Sequence, residues 1–275
     1  MRIIKKINEK LFCSLRSLAL KKASDEQGLT ELRKRLETLV PDITDHYSAF
    51  KIDDPYLMLK VRNLHAFQVS LVQKVINGLK KWVIVDIGDS SGAHLKYLKT
   101  LYSDLADLKC LSVNLDQKAV DRIKARGLEA IKARAEELDK YNIHPDLFLC
   151  FETLEHLFDP VRFLYELSNK TDARFLIVTV PYLRQSRVGL DHIRENRYEN
   201  VIAENTHIYE LCPGDWKLIM RQSGWDIVYE QIYSQHPHKG ILKFTKYLWK
   251  KYDYEGFYGA ILKRDHTWSS KYADW

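Results

Sequence analysis

Short apolar runs alternate with helical patterns between about residue 82 and residue 264. The runs have the length and apolar content of buried strands, and most of the segments between them repeat apolar residues every three or four positions. The predicted strands are residues 83–85, 110–115, 130–132, 146–151, 175–180, 226–232 and 257–263. Because strands that alternate with helices form parallel sheets, this pattern predicts an α/β domain.

The first 80 residues are helical in pattern and contain no predicted strand. Pro41 and Pro55 interrupt the pattern, and residues 57–79 form a strongly amphipathic stretch. We interpret His65 and Gln68 within this stretch as a surface pair rather than as active-site residues. The chain is therefore divided into a basic helix (1–22), a helical region (23–80), a core (81–264) with insertions at 183–206 and 234–256, and a tail (265–275).

Composition and charge narrow the class of protein. The chain has 275 residues, of which 45% are hydrophobic, and none of its four cysteines forms a CxxC pair, so reduced thiols are expected. No apolar run approaches the roughly 20 residues of a membrane-spanning helix. The first 22 residues hold seven basic residues and one acidic residue, an excess equal to the net charge of +6 of the whole chain. The rest is neutral overall, so no nucleic-acid partner is expected.

The basic N-terminal segment also carries an apolar stripe. A helix with one basic and one apolar face can lie in a lipid interface, where each Lys or Arg near anionic lipid contributes about 1 kcal/mol. This predicts a cytoplasmic protein attached peripherally to the inner face of a membrane. The alternative is a helix that packs on the protein itself or on a second subunit, and the oligomeric state stays open. The stripe consists of Ile3, Ile4, Ile7, Leu11, Leu15 and Leu18.

The segment 83–92 carries the first candidate site. An apolar run ends at Asp86, Gly88 and Gly92 bracket a turn, and a helical pattern follows. Glycines let a ligand approach the backbone closely, so a strand, a glycine turn and a helix start predict a nucleotide-type crevice. The spacing differs from a dinucleotide fingerprint, and Asp86 suits a cationic or amine-bearing ligand better than a pyrophosphate.

Further segments strengthen this interpretation. Asp116 closes the second strand, where a carboxylate can accept hydrogen bonds from both hydroxyls of a ribose. The fourth strand leads into Leu154-Glu155-His156, followed by Asp159-Pro160. With segment 83–92, these segments resemble the motifs of class I S-adenosylmethionine-dependent methyltransferases over residues 82–264. Ser90 departs from that family's usual middle glycine.

The resemblance implies a fold, a cofactor and a set of contacts. The expected fold is a Rossmann-like three-layer sandwich with a seven-stranded, mostly parallel sheet, an N-terminal helical extension and helical lid insertions. The expected cofactor is S-adenosylmethionine, with Asp116 at its ribose and residues 135–136 beside its adenine. Because Ser90 and Arg134 depart from the family's usual residues, the alternative is a scaffold of this fold that binds the cofactor poorly. The residues assigned to cofactor binding are Asp86, Gly88, Ser90, Gly92, Asp116, Ala135, Glu136 and Phe151.

A second cluster follows the fourth strand. On a helix Glu152, Glu155 and His156 would share one face, and two carboxylates with an imidazole suit Mg²⁺ or Mn²⁺. With His207 downstream, the cluster resembles the metal site of small-RNA 2′-O-methyltransferases and of ubiquinone-biosynthesis O-methyltransferases. That resemblance implies an ion that lowers the pKa of an acceptor hydroxyl. The alternatives are a metal-free acid–base role for His156 or His207, with Glu152 beside them, and a purely structural role.

The acceptor is the least determined feature. Aromatic residues are frequent in the C-terminal region, and aromatic faces can stack on sugar rings. Together with the N-terminal basic helix, this predicts an O-methyltransferase that acts on a sugar hydroxyl of a saccharide or glycan precursor. The rival substrate is an aromatic or quinone-type lipid precursor.

Overall fold

The fold was analysed in a computed structural model that describes residues 2–47, 50–76, 81–105, 107–188, 206–247, 249 and 254–272. Three helices precede the first strand: α1 (Arg2–Glu26), α2 (Thr30–Leu39) and α3 (Pro55–Val75). Pro55 is the first residue of α3, and the Asp54 side chain caps this helix by accepting from the backbone N–H groups of Tyr56 and Leu57. None of the described helices is long and apolar enough to span a bilayer.

Seven strands form the central sheet in the order β3-β2-β1-β4-β5-β9-β8. The first five strands run parallel, and β9 is antiparallel to both of its neighbours. This confirms the predicted seven-stranded, mostly parallel sheet. The strands are β1 (Lys81–Ile87), β2 (Asp107–Asn114), β3 (Glu129–Lys132), β4 (Leu147–Phe151), β5 (Phe175–Pro181), β8 (Trp225–Ser234) and β9 (Gly256–Arg264).

Helices cover both faces of the sheet, as predicted for a three-layer sandwich. One buried cluster joins α2, α3 and α4 (Ala93–Leu101) to one face. A second cluster joins α6 (Pro160–Lys170) and α7 (Pro213–Gln222) to the opposite face. Helix α5 (Gln117–Ala125) packs beside β2 and β3. Strands β4 and β5 are buried along nearly their whole length, which explains their unbroken apolar sequences.

Helix α3 is buried more deeply than an amphipathic helix would be. It packs against α1, α2, α4, β5 and β9. Nearly every residue from Val61 to Val72 is buried, including His65 and Gln68, each 1% exposed. The interpretation of His65 and Gln68 as a surface pair is therefore wrong. Their polar atoms are buried because they bond to groups on other elements around the sheet.

The second half of α1 is docked on the protein. Ala19 and Leu20 are buried in a cluster with Trp249, and the Arg16 guanidinium lies over the rings of Tyr56 and Trp249 at 4.2 and 5.2 Å. The second half of α1 therefore packs on the protein. Attachment of the whole helix to a membrane remains a prediction. Side chains 1–11 lie outside the described part.

Part of each predicted insertion also lies outside the described residues, namely 189–205 and most of 248–253. At the ends of the first insertion, β6 (Arg187–Val188) and β7 (Tyr209–Glu210) pair as a small antiparallel sheet. This small sheet was absent from the predicted elements. Two-residue strands carry too little periodicity to be recognised in a sequence.

The contact between β8 and β9 gives a stability prediction. A Cβ at Gly256 would lie 2.0 Å from the backbone oxygen of Tyr233, and a paired strand cannot move away cheaply. We expect Gly256→Ala to lower the free energy of unfolding by about 1–3 kcal/mol, as overpacking does. Denaturant unfolding monitored by circular dichroism measures the change.

Gly214→Ala is the matched control. Gly214 lies in α7, where a Cβ would meet the Cys212 sulfur at an ordinary 3.8 Å. This variant should be neutral or more stable by up to about 1 kcal/mol, because alanine favours helix. If the two variants are equally stable, the backbone of β8 at Tyr233 moves away from the Cβ added at position 256.

Candidate active site

A cavity of about 550 Å³ lies at the carboxyl ends of β1, β4 and β5. Its wall combines the turn after β1, the segment after β4 and the inner face of α3. Crevices of this size at this edge of a parallel sheet are where ligands bind in α/β folds. Among the predicted site residues, those on the wall are Asp86, Gly88, Ser90, Asp116, Phe151, Glu152, Glu155, His156 and His207.

The turn after β1 brings two glycines into the left-handed backbone region. Gly88 and Gly92 have φ values of 82° and 76°, a region that disfavours residues with a Cβ. A Cβ at Gly88 would also lie 3.0 Å from Thr153 Oγ1. The Asp89 carboxylate accepts hydrogen bonds from the N–H groups of Ser91 and Gly92, both at 2.9 Å, and holds the turn closed.

Two carboxyl groups beside this turn have oxygens suited to a cation. Asp86 and Asp89 are buried, and within the described residues Oδ2 of each has no hydrogen-bond partner. Burial, and then the neighbouring Asp89, raise the pKa of Asp86 well above its ordinary range. His94 Nδ1 lies 3.6 Å from Asp86 Oδ2. A ligand ammonium group would satisfy both oxygens.

Two buried histidines, His65 and His94, and the half-buried His46 line the α3 side of the same cavity. His65 Nε2 lies 3.3 Å from His46 Nε2, and His94 Nε2 lies 2.9 Å from Gln68 Oε1. Burial lowers the pKa of His46 to about 4 and that of His94 to about 3, so both rings are neutral near pH 7. Gln68 continues the chain of hydrogen bonds to Thr179 on β5 at 3.0 Å.

Sequence reasoning missed this histidine cluster as part of the site. The available signal was the presence of His65 and Gln68 within a helix otherwise rich in apolar residues. Buried polar side chains need partners, and partners at this distance in sequence cannot be recognised from helical periodicity.

At the end of β2, Asn114 lies on the cavity wall together with the predicted Asp116, and Asp116 also caps a helix. Asp116 follows β2 and caps α5, because its Oδ1 accepts from the Lys118 N–H at 2.9 Å. Asn114 is the last residue of β2 and also lies on the cavity wall. Its side chain accepts from the Asp116 N–H at 2.8 Å and donates to the Asp89 carbonyl at 3.0 Å. Asn114 is thus a further candidate for ribose contact, one that the search for a carboxylate overlooked.

Three predicted cofactor residues lie outside the cavity wall as described. Gly92 is the N-cap of α4, and a Cβ there would lie 2.5 Å from the Leu128 side chain. Ala135 and Glu136 are buried at the start of a short 3-10 helix, and Glu136 accepts from Arg134 at 3.4 Å. Their assignment to the adenine remains a prediction.

Glu152 is held by an unusual backbone conformation. Its φ of 48° is uncommon for a residue with a side chain, and its N–H donates to the Thr179 carbonyl at 2.9 Å. The assumption that Glu152, Glu155 and His156 share a helix face is therefore wrong, since only residues 154–156 form a single 3-10 turn. Burial raises the pKa of Glu152 to about 8.

Glu155, His156 and His207 nevertheless converge. Each offers one potential ligand atom, and these atoms lie within 4.8 Å of one another. Glu155 is fully buried, and within the described residues neither carboxylate oxygen has a hydrogen-bond partner. Burial and the nearby Glu152 raise its pKa well above the ordinary range. The Glu155 carbonyl accepts from the Ile208 N–H at 2.7 Å, which brings His207 to the cluster.

Both imidazole rings are oriented by their Nδ1 atoms. His156 Nδ1 lies 3.1 Å from the Thr206 carbonyl, and His207 Nδ1 lies 3.1 Å from Glu210 Oε1. Partners of this kind set the tautomer and leave Nε2 as the candidate ligand atom. The arrangement is the one that protein metal sites use to fix histidine ligands.

Glu210 anchors His207 from β7. Burial alone would raise its pKa, but hydrogen bonds from His207, Tyr254 and Arg187 outweigh burial and lower the pKa to about 2. Glu210 is therefore ionised at physiological pH. It can hold a proton on His207 Nδ1, which leaves Nε2 free of a proton as the candidate ligand atom.

Comparisons with known proteins identify a domain in the part of the chain that carries the site. The family described as "Methyltransferase domain" matches residues 85–172, which include the turn after β1 and the Glu155-His156 segment. No curated protein sequence matches the chain.

Solved structures share the fold at low identity. A putative sarcosine dimethylglycine methyltransferase from Galdieria sulphuraria has a TM-score of 0.51 at 11% identity, covering 77% of this chain and 88% of that one. A chain in the complex of a Haloferax volcanii methyltransferase activator with a putative methyltransferase has a TM-score of 0.50 at 13% identity, with coverage of 75% and 93%. The cyclase SpnF has a TM-score of 0.51 at 14% identity, with coverage of 74% and 82%.

The fold alone therefore leaves the reaction undetermined, since one neighbour is a cyclase. The family match adds to the fold, because it identifies residues 85–172 as a methyltransferase domain. This domain includes the turn after β1 and the segment that carries Glu155 and His156.

Proposed function

We propose that the protein is an O-methyltransferase that uses a divalent cation and acts on a sugar hydroxyl of a saccharide or glycan precursor. One observation carries the proposal. The buried Glu155 carboxylate, without a partner among the described residues, meets two oriented histidines in the same cavity as the turn after β1. A buried carboxylate of this kind is costly unless a cation completes its environment.

S-adenosylmethionine fits the opposite end of the cavity. The oxygens of Asp86 and Asp89 would accept from its ammonium group, and the backbone between Gly88 and Ser90 would lie against its methionine part. Asp116 and Asn114 would take the ribose hydroxyls at the end of β2. Phe151 would pack against the cofactor where β4 ends.

The residues of the second cluster suit a hard divalent ion. Glu155, His156 and His207 would be its ligands, with Glu152 on the adjoining wall as a fourth. Such an ion, when bound, lowers the pKa of a coordinated hydroxyl. Glu152 would be either that fourth ligand or, in the ionised form that it adopts above its pKa of about 8, the group that takes up the proton of the acceptor.

Aromatic rings near the cluster favour a sugar acceptor. Tyr254 and Phe257 line the cavity, and the Tyr254 ring stacks on His207 with 5.6 Å between centroids. Tyr47 and Phe50 stack on each other at the other side of the cavity. Aromatic faces of this kind pack against the C–H faces of sugar rings. The apolar side chains Leu57, Val61 and Leu64 on the same wall favour the second candidate, an aromatic or quinone-type lipid hydroxyl.

The ribose contact gives a prediction with a built-in control. Asn is as good a helix cap as Asp, so Asp116→Asn should retain the α5 cap while it removes the charge. We expect this variant to bind S-adenosylhomocysteine about 1.5–3 kcal/mol more weakly, the range for a hydrogen bond to a charged group. Isothermal titration calorimetry measures the affinity, and an unchanged melting temperature shows that the cap is intact. Wild-type affinity would remove Asp116 from the ribose site.

The raised pKa of Asp86 predicts linked proton release. The cofactor-free protein keeps Asp86 protonated at pH values where an ordinary aspartate is ionised, and a bound ammonium group favours the ionised form. Affinity for S-adenosylhomocysteine should therefore increase as the pH rises from the ordinary aspartate range toward the raised pKa. Calorimetry in buffers of different ionisation enthalpy should detect the released proton. Asp86→Asn should release none, and equal release by both proteins would assign the proton to another group.

The metal site predicts loss of turnover on chelation. Transfer of labelled methyl groups to saccharides with neighbouring hydroxyls should stop in EDTA and return with Mg²⁺ or Mn²⁺. His207→Ala should abolish turnover and leave cofactor affinity nearly normal, whereas His144→Ala, at an exposed histidine paired with Asp172, should change neither. Full activity after exhaustive chelation would leave His156 or His207 as a metal-free base.

A further inference from the structure

Two distant parts of the chain meet on the surface and expose large apolar side chains there. Leu18 of α1 is 54% exposed, and Leu15 is 40% exposed. The short 3-10 helix Ile241–Thr245 lies against α1 and exposes Ile241 at 83% and Phe244 at 58%, followed by Tyr247 at 60%. We refer to these five residues as the apolar surface.

The apolar surface is separate from the face with which α1 docks. Arg16, Ala19 and Leu20 are buried on the docked face, where they contact Trp249 and the first turns of α3. Leu18 belongs to the apolar stripe seen in the sequence, yet it points away from the protein. Docking of α1 thus leaves this part of the stripe exposed.

The two segments that carry the apolar surface are rich in basic residues. Residues 1–22 hold seven basic residues and one acidic residue, and residues 236–251 hold five lysines and no acidic residue. The other 237 residues hold 31 basic and 36 acidic residues, so the rest of the chain is acidic. Lys243 lies over the Phe244 ring at 5.1 Å, and Lys246 lies over the Tyr247 ring at 5.2 Å. The chain's excess of positive charge is therefore concentrated in the two segments that carry the apolar surface.

We propose that the apolar surface binds the interface of an anionic membrane. Nucleic acid would match the charge, but its phosphates offer nothing to exposed aliphatic side chains such as Leu18 and Ile241. A lipid interface matches both features, because apolar side chains enter the acyl boundary while lysines remain among anionic headgroups. The binding element thus includes residues 241–247 as well as Leu15 and Leu18 of α1.

The position of the apolar surface also bears on the substrate. The first turns of α3 separate it from the cavity. Tyr56 and Leu59 pack against the buried face of α1, whereas Leu57 and Lys60 line the cavity. A protein bound through this surface would hold the cavity close to the bilayer. If the cavity methylates a sugar hydroxyl as proposed above, the acceptor is a membrane-borne glycan precursor, and this step rests on the proposed function.

Vesicle co-sedimentation of the full chain tests the surface without any need for turnover. The protein should bind phosphatidylcholine vesicles that contain phosphatidylglycerol, bind pure phosphatidylcholine weakly, and dissociate as salt rises. The double variant Ile241→Asp/Phe244→Asp should lower partitioning by at least about tenfold, and so should Lys243→Gln/Lys246→Gln. Leu15→Asp/Leu18→Asp tests the contribution of α1 in the same way.

Leu218→Asp and Lys124→Gln are the controls, since they change an exposed leucine on α7 and a lysine on α5. Both should bind vesicles like the wild type, and circular dichroism verifies the fold of every variant. Wild-type binding by Ile241→Asp/Phe244→Asp would overturn the proposal, and so would failure of the intact protein to bind anionic vesicles. If the protein binds a duplex RNA but does not bind vesicles, the positive charge serves to bind nucleic acid instead. Because methylation is not measured, a failure here leaves the proposed reaction untouched.

Discussion

The site depends on one constraint. Acidic side chains where β1 and β4 end are buried away from water. Asp86, Glu152 and Glu155 are all buried enough for their pKa values to rise, and each has an oxygen without a partner among the described residues. Such groups destabilise a fold unless they stay protonated or a cation joins them. Two cations would satisfy them, a cofactor ammonium group beside Asp86 and a divalent ion beside Glu155. The cavity that joins these two positions has the size of a substrate site.

The surrounding structure keeps these groups in place. Parallel strands bring the segments after β1 and β4 to one edge of the sheet, and α3 closes the cavity from the other side. Gln68 on α3 connects His94 to Thr179, so the helix and the sheet share one hydrogen-bond chain. Glu210 fixes the ring of His207 from a small sheet outside the core. The site is thus assembled from elements that are far apart in sequence but rigidly packed.

The sequence contained most of the fold and part of the site. All seven sheet strands were predictable from their apolar residues. The signal was strongest for buried parallel strands such as β4 and β5, which have unbroken apolar sequences, and glycines mark the turn after β1. The burial of His65 was not predictable, since its partners lie on other elements. Asp116 was recognisable as a polar strand end, but its use as a helix cap depends on where β2 stops. The left-handed backbone of Glu152 also has no signature in an isolated sequence, because it is imposed by the packing of β4 on β5.

The central claim is that Glu155, His156 and His207 form a site for a divalent ion. Mn²⁺ binding to the cofactor-free protein, followed by electron paramagnetic resonance, tests it most directly. The wild type should bind one ion. Glu155→Gln should lose this binding, and Glu210→Gln should weaken it by about 10–100-fold through the orientation of His207. Equal Mn²⁺ binding by the wild type and Glu155→Gln, or none by either, would contradict the claim.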